Sequence, residues 1–105
     1  MKRGDVRWYQ FSKPDKTRPV LILTRSSSLE YLNEVTIAPI TSTVRHIPSE
    51  VPLTRKEGMM KECAVNLDHV QTVPKRKMGA LITKLSQDKM SEVRSALLFA
   101  LGFKP

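Results

Sequence analysis

The stretch TRPVLILTR, residues 17–25, constrains the fold more than any other part of the chain. Its run VLIL is apolar without alternation, which reads as a central strand buried on both faces. Pro19 has no N–H to give a sheet ladder, so it belongs at the first residue of that strand or on an edge. Arg18 is thereby fixed at a strand entrance with a stiff backbone behind it. There it serves either as a rim residue or as a charge held where a phosphate arrives.

The remaining segments read as short strands followed by one helix. DVRWYQF (5–11) is rich in strand formers, with Gly4 supplying a turn before it, and SKPDKT (12–17) is a polar connection with a Pro-Asp turn signal. SSSLEYLN (26–33) is a loop with one helical turn around Leu29 to Leu32. EVTIAPI (34–40) is a strand, and TSTVRHIPS (41–49) is the loop after it. EVPLT (50–54) is a short strand that Pro52 places at an edge. RKEGMMKE turns through Gly58, CAVNLDHVQTV (63–73) is one long strand bent or broken near Asp68, and GALITKLS is the last strand.

Ser86 then caps a helix with Asp88 in its first turn, and Gly102 closes it. Met90, Val93, Leu97 and Leu101 recur at helical spacing and are read as a core face. Five to seven strands and a terminal helix predict one mostly antiparallel curled sheet or small β-barrel with the helix against it, a single domain over residues 1–105.

Eighteen Lys and Arg against ten Asp and Glu leave a net charge of +8. Residues 1–25 alone hold seven basic and two acidic side chains, and PKRK (74–77) is a second basic knot. Such a field draws polyanions, nucleic acid first, although an acidic protein would also answer it. The longest apolar runs fall far short of the roughly 20 residues that span a bilayer, and no signal-peptide pattern is present. The lone Cys63 is read as a buried structural thiol and fits a reducing cytoplasm.

Zinc-type motifs, a glycine-rich phosphate loop and a serine-hydrolase elbow are all absent, and Asp68-His69 is the only adjacent acid–imidazole pair. What remains is phosphate chemistry without a metal, or binding alone. Cleavage of RNA by its own 2′-OH asks little of a protein beyond proton transfer and stabilisation of phosphorane charge. The guanidinium fork of Arg18 suits the charge, and the hydroxyls of Thr41 and Ser42 come beside it if the two central strands pair antiparallel. Trp8 and Tyr9, adjacent on a strand, face opposite sides. A core Trp8 is the favoured reading of that residue alone, and an exposed one would stack a base.

In order and spacing, GDVRWYQF, RPVLILTR, VTIAPITS, GMMKECAVNLDHVQTV and GALITKLSQDKMSEVRSALLFALG resemble the MazF/PemK (Kid) family of toxin endoribonucleases over nearly the whole chain. The resemblance implies an SH3-like barrel with a C-terminal helix, usually a homodimer with RNA across the interface. It also implies sequence-specific, metal- and cofactor-independent cleavage of single-stranded RNA, leaving a 2′,3′-cyclic phosphate and a 5′-OH. The partner it implies is a cognate antitoxin whose acidic disordered tail occupies the RNA groove. Arg18 matches the family's catalytic arginine and Thr41 its threonine, with Ser42, His46 and Asp68 as supporting candidates. RNA-binding candidates are Lys13, Lys16, Arg25, Lys75, Arg76, Lys77 and Trp8.

The chain departs from the family pattern at Asn66, where some members carry an arginine, and in its short SKPDKT loop. Two other readings stand beside this one. One is a gyrase-poisoning toxin of the CcdB type, against which the intact motifs and basic charge speak. The other is a non-enzymatic SH3-like RNA-binding module, which would leave Arg18 and Thr41 unused.

Overall fold

A computed structural model describes residues 1–11 and 16–104. Seven strands run in order: β1 (Asp5–Gln10), β2 (Thr17–Ile22), β3 (Glu34–Thr41), β4 (Glu50–Leu53), β5 (Cys63–Asn66), β6 (Gln71–Pro74) and β7 (Met78–Lys84); helix α1 (Gln87–Leu101) ends the chain. They form one curled antiparallel sheet in the order β4-β5-β3-β2-β1-β7, with β6 paired to the first half of β3. This is the curled sheet with a terminal helix that the sequence predicts.

Alternation along β2 explains its continuous apolar run. Leu21 enters one core with Val6, Ala38, Ile40, Leu53, Val65 and, from the helix, Val93 and Ala96. Val20 and Ile22 enter a second core with Tyr9, Leu29, Val35, Ile37 and Val73. All three β2 residues are fully buried. Pro52 lies on β4, which pairs with β5 alone and is an edge.

The long strand expected over 63–73 is broken by a 3-10 turn at Leu67–His69, so that β5 and β6 grip different halves of β3. Asn66 caps that turn, its side-chain oxygen accepting from the Asp68 N–H at 3.0 Å. The helical turn expected around Leu29 to Leu32 is present, with the Leu32 N–H donating to the Ser28 carbonyl at 3.1 Å, and a 3-10 turn at Ser26–Ser28 leads into it; Leu29 packs in the second core.

Ser86 caps α1 through the Lys89 N–H at 3.1 Å, and Gly102 closes it in the left-handed region at φ +79°. The buried helix face is Val93 and Ala96, flanked by Met90, Leu97 and Ala100. Leu101 is 58% exposed and lines an open surface groove with Leu97, Val70 and Thr72, which corrects its assignment to the core face.

The Gly4-Asp5 pair is structural. Gly4 adopts φ +96° and ties two strands at once, its N–H donating to the Ile22 carbonyl and its carbonyl accepting from the Leu85 N–H, both at 3.0 Å. Asp5 is buried against the Lys84 ammonium at 3.2 Å, the Arg7 Nε at 3.6 Å and the Lys2 N–H at 3.0 Å. Burial would raise its pKa, but these donors and charges hold it below its ordinary value.

Candidate active site

Antiparallel pairing of β2 with β3 sets the start of one strand beside the end of the other. Val20 faces Pro39. Beyond that pair the two strands part, β2 continuing on β1 through Pro19, Arg18 and Thr17 and β3 continuing on β5 through Ile40 and Thr41. Arg18 faces Tyr9, Tyr9 faces Met78, and Thr41 faces Ala64. Arg18 and Thr41 thus lie at the same end of the two central strands, where β2 begins and β3 ends.

Both line a groove of about 380 Å³ together with Ser42 and Trp8. Its floor is apolar: Pro19, Ile40, Met59, Leu81 and Ile82. Its rim carries Thr17, Met60 and Lys61, with Cys63 set into one wall. No carboxylate and no imidazole lines it among the described residues. Neither Arg18 nor Lys61 has an acidic partner among those residues, whereas Arg7, Arg45, Lys84 and Lys89 are all paired. Among the described residues, two cations without acidic partners thus stand beside an apolar floor, a combination that favours anions.

The Thr41 hydroxyl is oriented by its own loop. Its oxygen accepts from the Thr43 N–H at 3.1 Å, which leaves the hydroxyl proton available to donate. Residues 42–49 are in turn latched by Glu50, a buried side chain that accepts from the Arg45 N–H at 3.0 Å and the Arg45 guanidinium at 3.3 Å.

The opposite wall depends on a capped turn. Thr54 and Glu57 form a reciprocal capping box, with the Thr54 N–H donating to the Glu57 carboxylate at 2.6 Å, a bond that helps hold the Glu57 pKa below its usual range. Gly58 then turns at φ +96°, against Thr83, and delivers Met59, Met60 and Lys61 to the groove. Sequence reasoning missed Lys61 and both methionines as site residues. Gly58 was the one signal that could have pointed to them.

Trp8 is 40% exposed while Tyr9 is 2% exposed, which overturns the expectation of a core tryptophan. Val6 and Leu21 fill the core on that face; Trp8 and its partner Pro19 lie beyond it, at the groove. Cys63 is buried as expected. Burial raises its thiol pKa, an effect that nearby Lys61 opposes and Glu57 reinforces.

The other candidates lie elsewhere. Asp68 sits on the turn between β5 and β6, where it accepts from the Ser49 hydroxyl at 2.5 Å. His46 is an exposed residue of the 42–49 loop at φ +55°. Neither lines the groove. Arg25 follows the far end of β2 and lines a separate surface with Arg3 and Glu34. Lys75 donates to the Leu29 carbonyl, and Arg76 and Lys77 lie on the turn leading into β7. Lys16 is exposed immediately before β2, and Lys13 falls outside the described residues. Among the described residues no three His, Cys, Asp or Glu side chains gather to hold a metal ion.

Residues 2–101 match the family described as PemK-like, MazF-like toxin of type II toxin-antitoxin system. The chain belongs to this PemK/MazF toxin family. It is 41% identical over 97 residues to endoribonuclease MazF3 of Mycobacterium tuberculosis H37Rv, covering 92% of this chain and 90% of that protein. Among solved structures it superposes on the M. tuberculosis toxin MazF-mt6 with a TM-score of 0.88 at 35% identity, over 96% of this chain and 99% of the other. A mycobacterial endoribonuclease solved with its cognate antitoxin shares the fold, with a TM-score of 0.88 at 24% identity, over 100% of this chain and 98% of that one. The activity that goes with this PemK/MazF membership is that of an endoribonuclease.

Proposed function

We propose that this PemK/MazF chain cleaves single-stranded RNA at specific sequences without a metal ion, in the groove between Arg18, Thr41 and Lys61. The substrate 2′-OH attacks the adjacent phosphorus and the P–O5′ bond breaks, giving a 2′,3′-cyclic phosphate and a 5′-OH. The proton lost by the 2′-OH is balanced by the one gained by the leaving oxygen. Arg18 supplies a planar fork matched to two phosphoryl oxygens, and its charge offsets the one that builds on the phosphorane. The Thr41 hydroxyl, its oxygen engaged by the Thr43 N–H, donates to a non-bridging oxygen. Arginine is a poor general base at its ordinary pKa, so the share of Arg18 is electrostatic.

The observation that carries this reading is the juxtaposition of Arg18 with the Thr41 hydroxyl in a groove that, among the described residues, holds no carboxylate. The same basic groove fits the acidic tail of a cognate antitoxin, and the family description supports such a partner. The cytoplasm, where mRNA lies, is the proposed place of action; among the described residues no helix is long and apolar enough to cross a membrane. Exposed Phe99, Leu101 and Phe103 at the end of the helix support a homodimer.

The test is cleavage of a mixed-sequence RNA in excess EDTA, followed by analysis of the product ends and by substitution of a single 2′-deoxynucleotide at a mapped cut. Cyclic-phosphate ends, and loss of that one cut with the deoxy substrate, are expected. Cleavage that needs added divalent metal, or that survives the 2′-deoxy substitution, would refute the mechanism. Tight RNA binding without cleavage would favour a binding module.

A further inference from the structure

Among the described residues, Trp8 is the one aromatic side chain that lines the groove, and it is 40% exposed there. Its backbone is held on both sides. Across β2 it faces Pro19, which locks its own φ. On the β7 side Gly79 lies so close that a Cβ there would stand 3.2 Å from the Trp8 carbonyl oxygen and 3.4 Å from the Trp8 Cβ. The pairing of β1 with β7 is irregular at this point, stepping from Arg7–Leu81 to Tyr9–Met78 with Trp8 between. A glycine on one flank and a proline on the other therefore hold the backbone from which the indole projects.

Met60 reaches the same groove from the turn after Gly58 and is 84% exposed, an unbranched thioether that can adapt to a flat surface. Between these two walls the floor offers Ile40, Leu81 and Ile82. These side chains provide no hydrogen-bonding edge.

Resting on the reading of the groove as the RNA-cleavage site, we propose that Trp8 and Met60 form a stacking subsite for the nucleobase next to the phosphate held by Arg18. Recognition there goes through the face of the base. The subsite selects for an unstacked, unpaired nucleotide and discriminates by ring size more than by donor and acceptor pattern, because the floor is apolar. A base inside a duplex has both faces covered and cannot enter, so the requirement for single-stranded substrate arises partly here. Trp8 acts on binding and positioning, whereas Arg18 and Thr41 act on the reacting phosphate.

Trp8 is the chain's only tryptophan, so its fluorescence reports on the subsite directly. The probe is a short 2′-O-methyl RNA spanning a mapped cut, which binds but lacks the nucleophile, together with versions made abasic at one position at a time. Quenching of Trp8 by the intact probe is expected, with loss of the quench when one base flanking the cut is removed. That abasic change, or Trp8→Ala, is expected to weaken binding about 5- to 100-fold, with Trp8→Phe retaining most of it. On cleavable RNA the effect should fall mainly on KM.

Unchanged fluorescence on binding, or equal weakening by every abasic position, would overturn the subsite while leaving the cleavage reading intact. An unaltered KM in Trp8→Ala would do the same. Absence of both cleavage and RNA binding by the wild type would instead remove the reading on which the subsite rests.

Discussion

Gly58 and Gly102 offer a matched comparison. Both hold left-handed backbones, at φ +96° and +79°, where an L side chain costs about 1–2 kcal/mol. A Cβ at Gly102 meets nothing within 4 Å, so Gly102→Ala measures backbone strain alone. At Gly58 the new Cβ would lie 2.5 Å from the Thr83 Oγ1 and 2.9 Å from the Thr83 Cβ. Thr83 cannot rotate away without losing its hydrogen bond to the Glu57 carbonyl at 2.7 Å, and its Cβ does not move on rotation.

Overpacking of this kind adds about 1–3 kcal/mol. Gly58→Ala is thus expected to cost about 2–5 kcal/mol and Gly102→Ala about 1–2 kcal/mol. Urea unfolding of both variants with unchanged slope m is the assay. Because the Gly58 turn delivers Met60 and Lys61, Gly58→Ala should also weaken RNA binding in conditions where it remains folded, and Gly102→Ala should not. Equal losses of stability, or a larger loss at Gly102, would refute the close approach to Thr83 as the reason for Gly58.

Three further outcomes follow from the same geometry. The Asp5 carboxyl, depressed in the folded state, contributes stability that is complete above its ordinary pKa of 3.8 and is lost as pH falls through its lower folded value. Asp5→Asn should therefore be less stable than the wild type at neutral pH, and the gap should narrow below about pH 4 in denaturation curves. Glu50→Ala removes both bonds to Arg45 and should cost about 1–3 kcal/mol. By loosening the loop that carries the Thr43 N–H, it should also lower kcat more than it raises KM. Leu53→Ala, at a fully buried site, should cost about 2–5 kcal/mol by calorimetry or urea, while Tyr31→Ala, 80% exposed, should stay within about 0.5 kcal/mol.

Features set by neighbouring residues were legible in the sequence. Ser86, Gly58 and Gly102 act through caps and turns that a few residues determine, and they stand where the sequence placed them. The meeting of Arg18 with Thr41 and Ser42 was legible too, because antiparallel pairing of two recognisable strands brings one start beside one end. Lys61 was not, since its arrival at the groove depends on how the Gly58 turn seats against Thr83, a contact 25 positions away in the chain (83 − 58). Alternation put Trp8 and Tyr9 on opposite faces but could not say which face continued into the core. Leu101 has helical spacing like Val93, yet it lines an open surface groove instead of the core, and spacing along the helix does not carry how closely the neighbouring elements cover each turn.

In the proposed mechanism the guanidinium of Arg18 and the hydroxyl of Thr41 act on one phosphate. Single-turnover cleavage of a mapped RNA in excess EDTA, by the wild type, Arg18→Ala and Thr41→Ala at matched folding, tests it most directly. Expected is a loss of at least about 100-fold in the chemical step for Arg18→Ala and a smaller loss for Thr41→Ala, with RNA affinity changed much less than rate. A wild-type rate of cleavage in Arg18→Ala would contradict it.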